Sequence, residues 1–171
     1  MSIATTDTTK VAEALTAAPG SQTKSIAAIL VIVQTLAVWY TTGFVWTLQL
    51  MDYPMVAKLK DGPEYMALHN QMFWAVLGPG LAVAGVTAIV ALFARPLGIP
   101  LWAAITSVVL GIGIILLSGR VATPDRDSLA QTFTLSVHQH LIMVSWIRTL
   151  AFTAWGVLDG FLIWKVVRGG R

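Results

Sequence analysis

Apolar residues run almost unbroken through four stretches of this chain, about 26–51, 72–93, 99–118 and 137–167, and polar residues gather between them. At 1.5 Å rise per residue, about twenty such residues cross the roughly 30 Å hydrocarbon core of a bilayer. The pattern predicts an all-α integral membrane protein, a four-helix up-down bundle. Residues 1–23, rich in Ser, Thr and Ala, are expected to form a flexible tail, and 24–171 the bundle. That tail is long and polar, with Lys10 as its single early cation, which is a poor match to a signal peptide. Gly78-Pro79-Gly80 interrupts the second stretch and predicts a kink. Arg95-Pro96-Leu97-Gly98-Ile99-Pro100 predicts a tight connection to the third.

The two segments on the opposite side, 52–71 and 120–136, are not simple loops. Asp61-Gly62-Pro63-Glu64 and Thr123-Pro124-Asp125 carry helix-start signals. Helical extensions are therefore expected at this end. Lys10, Lys24, Arg95, Lys165, Arg168 and Arg171 fall on the side of the termini, against Lys58, Lys60, Arg120 and Arg126 on the other. The positive-inside rule then predicts cytoplasmic termini and an extracytoplasmic extended end, as in a bacterial inner membrane. No internal repeat is visible in the residues.

Composition narrows the function. Of 171 residues, 56% are hydrophobic and 11% charged, leaving little for a water-soluble domain. With no cysteine there can be no disulfide, thiolate metal site or thioether haem. The net charge of +3 sits mostly at membrane flanks and argues against a nucleic-acid partner. No GxSxG, HExxH or phosphate-binding glycine loop is present, and neither a charged voltage-sensor repeat nor a filter-like loop supports a channel.

Two helix faces carry polarity. Thr35, Trp39, Thr42, Trp46, Gln49 and Tyr53 follow one another at spacings of 4, 3, 4, 3 and 4, forming one stripe on the first span. The stripe reads either as interhelical packing and hydrogen bonding or as the wall of a cavity. On the fourth span, at 100° per residue, Thr134, His138, Ser145, Thr149 and Asp159 share a sector of roughly 80°, with Arg148 at its edge. That face is expected to point inward. Arg148 needs a carboxylate such as Asp52, a carbonyl, water, or an anionic ligand. Asp159 lies about 16 Å further along the helix, too far for a direct pair, and is expected to approach the interface or Lys165. Glycines of the second and third spans permit close helix approach.

All three histidines fall at the extended end. Neutral imidazole is a common metal ligand, and His69, His138, Glu64 and Asp52 form the candidate set. His69 and His138 meet only if the second and fourth spans are neighbours there. His138 and His140 lie about 200° apart and cannot share a face. Cofactor identity stays open.

Tyr53-Pro54, Tyr65-x3-His69 and His138-x2-Leu141-x3-Ser145-Trp146-x-Arg148-Thr149 resemble a family of small bacterial four-span proteins, itself distantly similar to anthrone-oxygenase-like membrane proteins. In this chain Met72 stands where a second histidine would be expected, and Ser145 where an asparagine would be. The resemblance implies oxidation of a lipophilic, aromatic molecule reaching the site from the bilayer. Catalysis would then fall to His69, His138 and Arg148, and ligand contact to Trp39, Thr42, Trp46, Gln49, Tyr53, Ser145 and Thr149. The competing expectation is a non-catalytic accessory subunit, in which the same faces hold partner helices of a homo-oligomer or larger membrane assembly.

Overall fold

The computed structural model describes residues 19–59, 62–94 and 99–169. Most of the expected tail and the expected tight connection at 95–98 lie outside these residues. Six α-helices make up the described residues: α1 (Pro19–Thr47), α2 (Tyr53–Val56), α3 (Gly62–Ala94), α4 (Leu101–Leu117), α5 (Thr123–Gln131) and α6 (Leu135–Gly169). Helix α1 begins inside the segment expected to be tail, with Pro19 at its first position, where a missing N–H costs nothing. Four continuous helical rods result, Ala28–Val56, Gly62–Ala94, Leu101–Gln131 and Leu135–Arg168, each long and apolar enough to cross a membrane. The chain is a multi-pass, all-α membrane bundle.

Its exterior is apolar, unlike that of a water-soluble bundle, and its largely apolar interior also holds polar groups. Leu36, Val86, Val109 and Val157 are each more than half exposed, while Gln34, Ser107, Arg126, Arg148 and Asp159 are all but fully buried. Lipid tails suit the outer face, and Gln34, Ser107, Asp159 and Arg148 find partners across the bundle. The rods pack in chain order around a ring, α1 against α3 and α6, and α4 against α3 and α6. The second and fourth rods are therefore diagonal.

The first and third rods break register in the same way. A π turn, Leu48–Asp52, joins α1 to α2, closed by the Tyr53 N–H donating to Leu48 O. Another, Ser118–Ala122, joins α4 to α5, and there both the backbone N–H and the hydroxyl of Thr123 donate to Ser118 O. A proline comes after each turn, Pro54 and Pro124. From 48 to 118 and from 54 to 124 the offset is a constant 70 residues. The fold thus contains a repeated rod–π-turn–proline unit that the residue types hide.

Helix α3 runs through Pro79. A proline removes one backbone donor and crowds the preceding turn. There the Tyr40 hydroxyl donates to Val76 O at 2.9 Å. Gly80 makes this close crossing feasible, since a Cβ there would stand 2.6 Å from Tyr40 Cδ1.

Candidate functional site

The π turn takes an extra residue per turn and so re-aims the side chains beyond it. Asp52 closes that turn and meets two residues from the first turns of α3. The Tyr65 hydroxyl donates to Asp52 Oδ1, and His69 Nδ1 lies 3.1 Å from Asp52 Oδ2. Tyr65 and His69 are four residues apart and share a helix face. The contact is not aligned as a hydrogen bond and leaves Asp52 Oδ2 without a partner. Since a carboxylate accepts only, the His69 tautomer that suits it carries the proton on Nδ1 and has its lone pair on Nε2. That Nε2 is buried and has no partner.

This cluster forms one wall of a groove of about 290 Å³ between α1 and α3. Phe44, Leu48, Leu68, Met72, Phe73 and Val76 complete its lining. Met72 and Leu68 are 60% and 53% exposed on the outer surface of the bundle, so the groove opens sideways there. An apolar channel wall with one polar cluster is the usual composition of a small-molecule site.

Behind the groove stand two arginines. Arg148 is fully buried and donates through Nη2 to the Tyr53 hydroxyl at 3.1 Å and to Ser145 Oγ at 2.9 Å. Arg126 is also buried and donates to Thr123 Oγ1 at 2.8 Å. Both guanidinium groups lie over Phe73, at 3.9 Å for Arg126 and 5.5 Å for Arg148. The expected pairing of Arg148 with Asp52 is not formed, because Asp52 is engaged by Tyr65 and His69.

His138 takes a different role from His69. Its Nε2 donates to Tyr53 O at 2.8 Å, and its ring packs on Phe133. The α2 helix ends at Val56, so this carbonyl accepts a side-chain donor. The two histidines sit on diagonal rods with Tyr53 between them, and Glu64 is exposed. Among the described residues no three His, Asp or Glu side chains group closely enough to hold a metal, so the set of His69, His138, Glu64 and Asp52 is corrected to the His69–Asp52 pair. His140 points the other way, as expected, and meets Asp125 at 2.7 Å.

The aromatic stripe of the first span is a helix interface. Trp39 covers Gly156, Thr42 Oγ1 contacts Phe152 O at 3.3 Å, and Trp46 Nε1 donates to Thr153 Oγ1 at 3.0 Å with its ring edge-on to Trp146. All three face α6, away from the groove. Gln49 and Thr149 are buried with Oε1 and Oγ1 unpartnered, and neither lines the groove. The α1 residues that do line it, Phe44, Leu48 and Asp52, are spaced by four, and the residue pattern does not single them out because two of them are ordinary apolar residues. Phe73 and Arg126 are missed by the pattern too. The placement of Arg126 two residues after Pro124 is the available signal, since it puts the side chain in the first turn of a helix rather than in a loop.

Asp159 is fully buried and accepts from Gln34 Nε2 at 2.8 Å. Gln34 also donates to Ser107 Oγ, as does Trp155 Nε1 at 2.7 Å. The expected pair of Asp159 with Lys165 is not formed. Lys165 lies over the rings of Phe161 and Trp164 instead.

Comparison with known protein families, curated proteins and solved structures finds no match to this chain.

Proposed function

We propose that the protein is a membrane enzyme acting on a lipophilic molecule that reaches the α1–α3 groove sideways from the bilayer, with His69 moving a proton to or from it. The observation that carries this reading is the Asp52–His69–Tyr65 cluster on the wall of that groove. Asp52 lies beside Nδ1, and Nε2 has no partner, so the ring has a nitrogen available for the role of a general base. Tyr65 fixes the other carboxylate oxygen, so the pair is oriented before a ligand arrives. The resemblance of the sequence motifs adds the reaction class, an oxidation, and a bacterial inner membrane, and the Lys and Arg count adds cytoplasmic termini.

The test uses detergent-purified protein, a flat aromatic ketone such as anthrone as probe, and oxygen uptake as readout. Wild type is expected to bind and turn over the probe. Met72→Trp fills the groove from its lipid side and is expected to abolish binding. His69→Gln and Asp52→Asn are expected to bind the probe yet lose about 100-fold or more in rate, the usual weight of a general base. Equal turnover by His69→Gln refutes the assignment. Absence of binding by the wild type favours the accessory-subunit reading, and co-purifying partners become the next measurement.

A further inference from the structure

Proton transfer at His69 leaves Arg126 and Arg148 unused. Each is at most 1% exposed, and among the described residues neither has a carboxylate within ion-pair distance. Their N–H groups are also incompletely used: Arg126 Nη1, Arg148 Nε and Arg148 Nη1 have no partner. A guanidinium does not lose its proton in proteins, so burial cannot be relieved by neutralisation. Two like charges facing one phenyl ring gain some cation–π attraction, but this does not replace solvation or a counter-ion. The pair thus has no counter-ion among the described residues.

Phe73 connects this pair to the groove. Its ring lies over Arg126 and is at the same time part of the groove lining. Neither arginine lines the groove, and the Phe73 ring stands between it and the free guanidinium donors, so a ligand oxygen reaches them only where that ring turns aside. Guanidinium nitrogens present parallel N–H groups that match the two oxygens of a planar oxyanion.

We infer that Arg126 and Arg148 form the receptor for the oxyanion of an amphipathic acid, whose apolar body occupies the groove and whose charged oxygen passes Phe73 to reach the unpartnered N–H groups. This rests on the groove reading and adds the charge and class of the ligand. A flat aromatic acid and an alkyl acid share the required chemistry.

Equilibrium dialysis of the full chain in detergent separates them. 2-Naphthoate is expected to bind at least tenfold more tightly than neutral 2-naphthamide if the body is flat. Decanoate is expected to show the same preference over decanol if it is chain-like. Arg126→Met and Arg148→Met keep an unbranched apolar stem without the guanidinium and are expected to erase the preference while leaving the neutral compounds within twofold. Lys165→Met, in the last turns of α6, is expected to change neither affinity. Acid and neutral partner binding equally in both pairs would overturn the inference and leave the groove standing. Binding of none of the four would overturn the groove with it. Should the arginine variants fail to fold, the acid-to-neutral ratio of the wild type decides the matter alone.

Discussion

Replacing His138 should reveal a structural residue, in contrast to His69. The ring is 4% exposed and donates to the carbonyl of Tyr53 at 2.8 Å. His138→Ala leaves that carbonyl without its side-chain donor, in a place water does not reach. An unsatisfied buried acceptor costs about 1–3 kcal/mol in general, and hydrogen bonds within membrane bundles average about 0.6 with a maximum near 1.7. Loss of packing against Phe133, 5.4 Å away centre to centre, adds about 1–2 kcal/mol for the ring and the cavity it leaves. The expected destabilisation is therefore about 2–3 kcal/mol, read from denaturant unfolding in mixed micelles by fluorescence of the seven tryptophans. His138→Gln restores an amide N–H of similar reach and should recover about 1 kcal/mol of the loss. An alanine variant within about 0.5 kcal/mol of wild type, or a glutamine variant no better than alanine, would refute the assigned bond.

The packing predicts three further outcomes. Gly80→Ala places a Cβ 2.6 Å from a ring whose hydroxyl is tied to Val76 O on the same helix, so the ring cannot retreat freely, and a loss of about 1–3 kcal/mol is expected in the same unfolding assay. Asp159→Asn keeps an acceptor for Gln34 and should cost under about 1 kcal/mol, whereas Asp159→Leu leaves that donor one bond short and should cost about 1–3 kcal/mol; equal effects of the two would remove Gln34 as its partner. Trp46→Phe combined with Thr153→Val in a double-mutant cycle should give a coupling near 0.6 kcal/mol, and zero coupling would contradict the α1–α6 bond.

The four spans are legible in the residues because lipid imposes length and apolarity on every residue of a rod. The helical extensions are legible from Pro63 and Pro124 and the polar residues beside them. The inward direction of α6 is legible as well, since His138, Ser145, Arg148, Thr149 and Asp159 are all buried, although Thr134, expected on the same face, precedes the helix and is exposed. What a face meets is a different matter. The α1 stripe reads equally as cavity wall or as helix contact until the ring order is known, and that order sets α6, not open space, opposite Trp39 and Trp46. Periodicity also assumes 3.6 residues per turn. The π turn at Leu48–Asp52 breaks the assumption at the point where the site begins, so Asp52 lands beside Tyr65 and His69 rather than Arg148.

The two π turns divide the labour of the site between the halves of the chain. In the first half the turn delivers Asp52 to the groove; in the second, the equivalent turn and its proline start α5, which carries Arg126 inward against Phe73. One backbone device thus places the Asp52–His69 pair on the groove side and a cation on the inner side of the same phenyl ring. Straightening either turn would rotate the residues beyond it by roughly one helical position, about 100°. Deleting one residue within 48–52 should therefore withdraw Asp52 from His69, and deleting one within 118–122 should withdraw Arg126 from Phe73. The two lesions are expected to differ: the first to abolish turnover while sparing the preference for acid over neutral ligand, the second to abolish the preference. If both deletions changed both properties alike, the acid–base pair and the arginines would belong to one inseparable unit rather than to two halves that meet at Phe73.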